Sequence, residues 1–201
     1  STLGALLGVV EQRFYFYSAL MPIYFLVFAY TTGVAASAII AAVEAPKLGE
    51  VGDHLVAFFR KMLMAGLGLA LILGFWRIAV GVYGQIQGSE VFELTLASQI
   101  IYGIVLGAVV PLALLFYFRS PGALILISLF IMAIQLKTRY DLVVGGFKVP
   151  VWRAYTIPEY VTYIPSVDEI FIFIGGTSLA ILIYLLADKL NFLTFKAKNH
   201  Q

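Results

Sequence analysis

Five runs without a charged residue, 14–43, 62–76, 94–118, 120–136 and 170–187, dictate the solvent in which this chain folds. A hydrocarbon core of about 30 Å calls for about 20 apolar residues of helix, with a range of roughly 17 to 25. All but 62–76 reach that range unaided, and this run extends to 84 if Arg77 reaches toward an interface or a polar cavity. A transmembrane barrel would alternate apolar and polar residues in short segments, whereas these runs are solidly apolar, which predicts helices. The expected fold is all-α: a polytopic transmembrane bundle of five spans occupying 14–187, with a pre-membrane segment at 1–13 and a tail at 188–201.

The rest of the composition narrows function. Hydrophobic residues make up 62% and charged residues 12%, against roughly 45–50% and about 25% in soluble domains. A net charge of +2 on scattered carriers leaves no basic stripe for nucleic acid. With no cysteine there is neither a disulfide nor a thiolate set for iron–sulfur or structural zinc, so any redox centre belongs to a partner. The histidines, His54 and His200, lie in a predicted loop and the tail, which argues against a haem held between helices. No metal site is expected, no serine sits in a nucleophile elbow and no lysine lies mid-span, so the chain carries no catalytic machinery of its own. It opens on Ser1 without a signal-peptide pattern and reads as beginning mid-protein.

Small residues recur one turn apart at Gly66, Ala70 and Gly74, and at Gly103 and Gly107 with Pro111 beyond. Such faces let helices approach in lipid; a cofactor or substrate lying against them is the alternative. Ionisable residues cluster at span ends: Glu44, Arg77, Glu93, Arg139, Asp141, Asp168 and Glu169. Each is read either as a solvated or paired terminus or as a functional group, and Glu44 and Arg77 stand out because apolar sequence runs closely past them. Asp168 and Glu169 suit a helix N-terminus, and Ser166 with Glu169 has capping-box spacing.

The loop expected at 137–169 holds Pro150, Pro158 and Pro165 and the aromatics Phe147, Trp152, Tyr155, Tyr160 and Tyr163. That aromatic weight is foreign to a disordered linker and predicts packing on the membrane surface or on a partner. Of the 13 basic residues, six fall on the N-terminal side of the membrane and seven on the other. Residues close to span ends, Arg60 and Lys61 above all, favour a cytoplasmic C-terminus and a loop outside the cell membrane.

MPIYFLVFAYTTGVAASAIIAAVE (21–44), RYDLVVGGFKVP (139–150) and YIPSVDEIFIFIGG (163–176) resemble, in the same order, segments of the polysulfide reductase NrfD family. The opening STLGALLGVV is similar to the middle of longer members, such as the membrane subunits of uptake hydrogenases and of sulfur or polysulfide reductases. The resemblance covers nearly the whole chain but rests on loosely defined hydrophobic motifs. It implies a haem-free subunit that exchanges electrons and protons with a membrane quinone (menaquinone, ubiquinone or similar). Its partners would be a ferredoxin-like iron–sulfur subunit on the outer face and a catalytic hydrogenase or molybdopterin subunit. The implied fold is two helical bundles, this chain supplying the second, whereas family quinone sites lean on the first.

Residue by residue, the resemblance matches Arg139, Tyr140 and Asp141 to an arginine–tyrosine–polar element, with Asp141 where asparagine is common. It matches Gly145 and Gly146 to paired glycines in an outer-face turn, Glu44 to the acid that ends its helix, and Pro165, Ser166 and Glu169 to the entry of the last helix. Glu44, Arg77 and Asp141 are thus the expected proton- or quinone-linked residues, and Arg139, Tyr140, Gly145, Gly146 and Trp152 the partner-docking ones. A transporter or proton-translocating subunit, with Arg77 on the solute path, and a purely structural membrane anchor are the competing readings.

The orientation is testable in this cysteine-free background. A cysteine replacing Gly146 should react with an impermeant thiol reagent added outside intact cells, and one replacing Lys196 should not. The reverse pattern would invert the topology.

Overall fold

A computed structural model describes residues 20–83, 95–147 and 163–189. Within them the chain is helical and has no strand. The helices are α1 Met21–Leu48, α2 Glu50–Tyr83, α3 Thr95–Tyr117, α4 Pro121–Phe147 and α5 Val167–Lys189. Even the shortest has 23 residues, about 34 Å at 1.5 Å per residue, enough to cross the hydrocarbon core. All five are apolar enough to do so, and the chain is a multi-pass membrane protein.

The chain divides into two compact units, 1–161 and 162–201. In the first, α1 packs on α2 and α4, and α3 packs on the same two helices, the arrangement of a four-helix bundle. In the second, α5 opens on a closed capping box: Ser166 N–H donates to Glu169 Oε2 at 3.1 Å, and Glu169 N–H to Ser166 Oγ at 3.4 Å. The Tyr163 hydroxyl also donates to Glu169, fixing the acid over the helix start.

Residue size organises the bundle more than hydropathy does. The buried line of α1 is Thr31, Ala35, Ala38, Ala42 and Ala45, and that of α4 is Leu124, Ser128, Ile131, Gln135, Thr138, Leu142 and Gly145. Both advance by alternating steps of three and four, the heptad seam of left-handed helix packing. The alanines meet Val56, Leu63 and Leu67 of α2 together with Leu115 and Ile131 in one apolar cluster. A smaller cluster of Met21 and Leu142, flanked by Tyr24 and Phe25, closes the opposite end. The small-residue faces expected to pack do so: Gly66 lies beneath Tyr30 and Thr31, and Gly74 faces Ile104.

Three expected boundaries are corrected. The predicted loop after Glu44 is helix: α1 runs on to Leu48, and α2 begins at Glu50 with His54 on it. Gly49 alone makes the connection, at φ 56° and ψ −131°, a conformation L side chains rarely adopt. The first turns of α2, with Glu50, Asp53, His54, Arg60 and Lys61, account for a 34-residue helix exceeding the bilayer. At its far end α2 runs through Arg77 to Tyr83, in line with the expected extension of the run 62–76.

The loop expected from Lys137 begins later, because α4 continues through Phe147 and the paired glycines are helical. Helix persists there because each polar side chain finds a partner on its own or a neighbouring helix. Gly145 is needed for approach rather than for a turn, since a Cβ there would stand 3.0 Å from Thr95 Cγ2. The segment 1–13 and residues 148–162 of the expected loop, Trp152 among them, lie outside the described residues.

Close approach at the α1–α2 hairpin makes a quantitative prediction. A Cβ on Gly52 would stand 2.4 Å from the Ala45 carbonyl oxygen and 2.7 Å from Ala45 Cα, so the backbone must move. Gly52→Ala should cost about 1–3 kcal/mol in thermal or denaturant unfolding in detergent. Gly68→Ala, with nothing within 4 Å, should be neutral or stabilising. Equal effects at the two glycines would refute this packing.

Candidate functional site

Buried polar side chains concentrate between the two apolar clusters, toward the end of the bundle where α1 and α3 begin and α2 and α4 end. Thr31, Thr95, Gln135 and Thr138 are all less than 9% exposed. They come from α1, α3 and α4, and two sets of contacts radiate from them.

The first set ties α1 to α4. Arg139 Nη2 donates to Thr32 Oγ1 at 3.3 Å, and its guanidinium carbon lies 5.9 Å from the Phe28 ring centroid. The Thr32 hydroxyl has two acceptors at 2.7 Å, Gln135 Oε1 and the Phe28 carbonyl, but only a single hydrogen to give. Turning the Gln135 carboxamide over resolves the competition. Its N–H₂ then donates to Thr32, whose own hydrogen goes to Phe28. As placed, Gln135 Nε2 and Arg139 Nε have no hydrogen-bond partner, which marks this hub as the costliest polar spot in the bundle. Among the described residues no carboxylate pairs with Arg139.

The second set ties α4 to α3. Asp141 accepts from Ser98 Oγ at 2.6 Å and forms an ion pair with Lys137, one turn back on α4. The Lys137 ammonium also lies 4.8 Å from the Tyr102 ring centroid. Thr138 Oγ1 is 2.9 Å from the Ile134 carbonyl and 3.3 Å from that of Tyr102. Between these contacts lies a small cleft lined by Tyr24, Thr95, Ser98, Gln99, Gly103, Thr138, Asp141 and Leu142, about 20 Å³ in volume, room for roughly one water molecule.

Arg77 lies at the same end, 3.6 Å from Met21 Sδ and 5.4 Å from the Tyr24 ring centroid. Glu44 does not join it. It pairs with Lys47 at 2.8 Å, and 23 residues of α1 separate it from Met21, roughly 35 Å along the axis. Of the expected proton-linked residues, the fold therefore brings Arg77 and Asp141 to one end and leaves Glu44 at the other.

Of the expected docking residues, Arg139 is turned into the α1–α4 seam, Gly145 is buried against Thr95 and Tyr140 is half-buried. The surroundings of Gly146 and all of Trp152 lie outside what the structure describes. Thr32, Ser98, Tyr102, Gln135 and Thr138 escaped the sequence reading because they are uncharged. Polar side chains inside charge-free runs were the available signal. Among the described residues no cluster of histidine and acidic side chains could hold a metal ion.

The fold is that of a multi-pass helical membrane protein in which, among the described residues, the buried polar side chains other than Ser128 gather toward one end of the bundle. No protein-family model, curated protein or solved structure matches the chain.

Different stability changes are expected from the half-buried Thr32 hydroxyl and the buried Ser128 hydroxyl. Thr32→Val strips the hub and should destabilise by about 1–3 kcal/mol, whereas Ser128→Ala removes a hydroxyl whose oxygen has no partner and should be neutral or stabilising. Thermal unfolding in detergent measures both. A stabilising Thr32→Val would show that the hub does not hold α1 to α4.

Proposed function

We propose that this chain is a haem-free membrane subunit of a respiratory oxidoreductase complex, serving the exchange of electrons and protons between a membrane quinone and a partner iron–sulfur subunit and anchoring that complex. The observation that carries the reading is Asp141. It is a carboxylate in the last turns of a membrane span, held by Ser98 and Lys137 beside a polar cleft. Quinone reduction consumes protons and quinol oxidation releases them, so a quinone-reactive subunit needs an ionisable group with access to water near the membrane edge. The three segments similar to the NrfD family supply the partner classes: a ferredoxin-like iron–sulfur subunit and a hydrogenase or molybdopterin enzyme.

The lining suits this role. In this reading Asp141 is the proton-linked group, Lys137 pairs with it across one turn of α4, and Ser98 orients it by donating to Oδ2. Quinone itself enters as a substrate, and the electrons come from the partner's cluster, since this chain has no cysteine to hold one. Arg139 takes a structural part by holding α1 to α4 beneath the docking face, which includes Tyr140 and Gly146. The proposed setting is the cytoplasmic membrane, with the end bearing Asp141 outside.

A through-membrane transport path is the weaker reading. The alanine, leucine and isoleucine cluster fills the other half of the bundle, and the polar side chains do not continue through it. A purely structural anchor, the third possibility, gives no use to a carboxylate, an ammonium and a guanidinium gathered at one end.

In membranes carrying the intact complex, Asp141→Asn should lower quinone-linked turnover by roughly 10²-fold or more. Reduction of a soluble dye by the catalytic partner should persist. Full quinone turnover in that variant would remove Asp141 from the reaction, and failure of any iron–sulfur protein to co-purify would sink the complex.

A further inference from the structure

α3 is not a uniform helix. From Gln99 to Val109 it is a π-helix, eleven residues with i→i+5 bonding, followed by an ordinary α-helix from Val110 to Tyr117. Such stretches are rare, mostly a single turn, and frequent at functional sites. Pro111 supplies a cause. It has no N–H to give to the carbonyl of Gly107, four residues back, and its ring crowds that carbonyl, so an α register ahead of it lacks one bond and is weakened there. The Val110 N–H accordingly reaches back to the Val105 carbonyl.

Gly107 permits the π geometry. A Cβ there would stand 2.6 Å from the Tyr102 carbonyl oxygen, so another residue would force the backbone to shift. Two contacts from α4 hold the wider register: Thr138 Oγ1 against that same Tyr102 carbonyl, and Asp141 accepting from Ser98. The α3 residues lining the cleft, Thr95, Ser98, Gln99 and Gly103, all lie in the first half of the π segment or before it. Any change of register therefore moves one entire wall of the cleft against α4.

We propose that α3 switches between this π register and an α register, and that the switch opens and closes the cleft beside Asp141. Each residue of register taken up turns the start of α3 by roughly 100° and slides it by about 1.5 Å. Ser98 then leaves Asp141, and the carboxylate is exposed to whatever fills the cleft. The inference stands on helix geometry and does not need the quinone reading.

Cross-linking tests it in native membranes, in a chain whose 201 residues here hold no other cysteine. Thr95 and Gly145 lie close in the π register, a Cβ on Gly145 being 3.0 Å from Thr95 Cγ2. Cysteines at these positions should form a disulfide in two phases, a fast fraction and a fraction limited by the register change. Gly107→Ala, which crowds the π register, and Pro111→Ala, which restores the missing donor, should each cut the fast fraction several-fold. A control pair, Thr31→Cys with Gly66→Cys across α1 and α2, should be unaffected. A single fast phase in the Gly107 chain overturns the switch by itself, even where a variant fails to fold. So does an unchanged fast fraction in both variants.

Discussion

In lipid nothing apolar draws one helix to another, so what holds α1 to α2 and α4 is how closely their surfaces fit. Ala35, Ala38, Ala42 and Ala45 make that fit possible. Their methyl groups leave room for Val56, Leu63 and Leu67, and Gly52 at the hairpin lets the backbones nearly touch. Dispersion over such a seam is individually weak and collectively decisive. The seam also fixes the height of α1 against α4, and hence which of their side chains meet beyond its last alanine.

Beyond Ala35 the same line becomes polar. Thr31 and Thr32 on α1 stand level with Gln135 on α4, and Arg139, one turn further, reaches back to Thr32. A guanidinium in an apolar bundle is tolerable only where dipoles and aromatic faces replace its water, and here these are the Thr32 hydroxyl and the Phe28 ring. The cost is tolerated because the tightly fitted half holds the two helices in register. Loosening the alanine seam would separate Thr32 from Gln135 before it unfolded either helix.

How much of this was legible follows from what each feature depends on. Five spans were plain because lipid demands long charge-free runs, and every run did prove helical within the described residues. Helix ends were misjudged at Glu44 and Lys137, where charge was taken as an exit signal, whereas Arg119 does follow a helix end. Lys137 and Asp141 satisfy each other one turn apart on the same helix, and Arg139 turns inward, so α4 carries all of them to Phe147. The closing glycines looked like a turn and are helical, with Gly145 in contact with Thr95. The π segment had a signal in Pro111 four residues after Gly107, but only the packed structure shows the Tyr102 carbonyl meeting Thr138. The hub at Thr32 and Gln135 pairs residues 103 apart in sequence, a relation set by helix packing.

The division of the interior into a dry half and a polar half bears directly on what the bundle can conduct. A proton or solute path needs exchangeable groups from face to face, and the dry half interrupts the line at the level of Ile131 and Leu67. Ser128, buried within that half with an unpartnered oxygen, is too isolated to bridge it. Among the described residues of the first unit, the polar contacts around Asp141 therefore stay at one end of the bundle, where Ser98 and Lys137 hold the carboxylate and the apolar cluster closes off the other half.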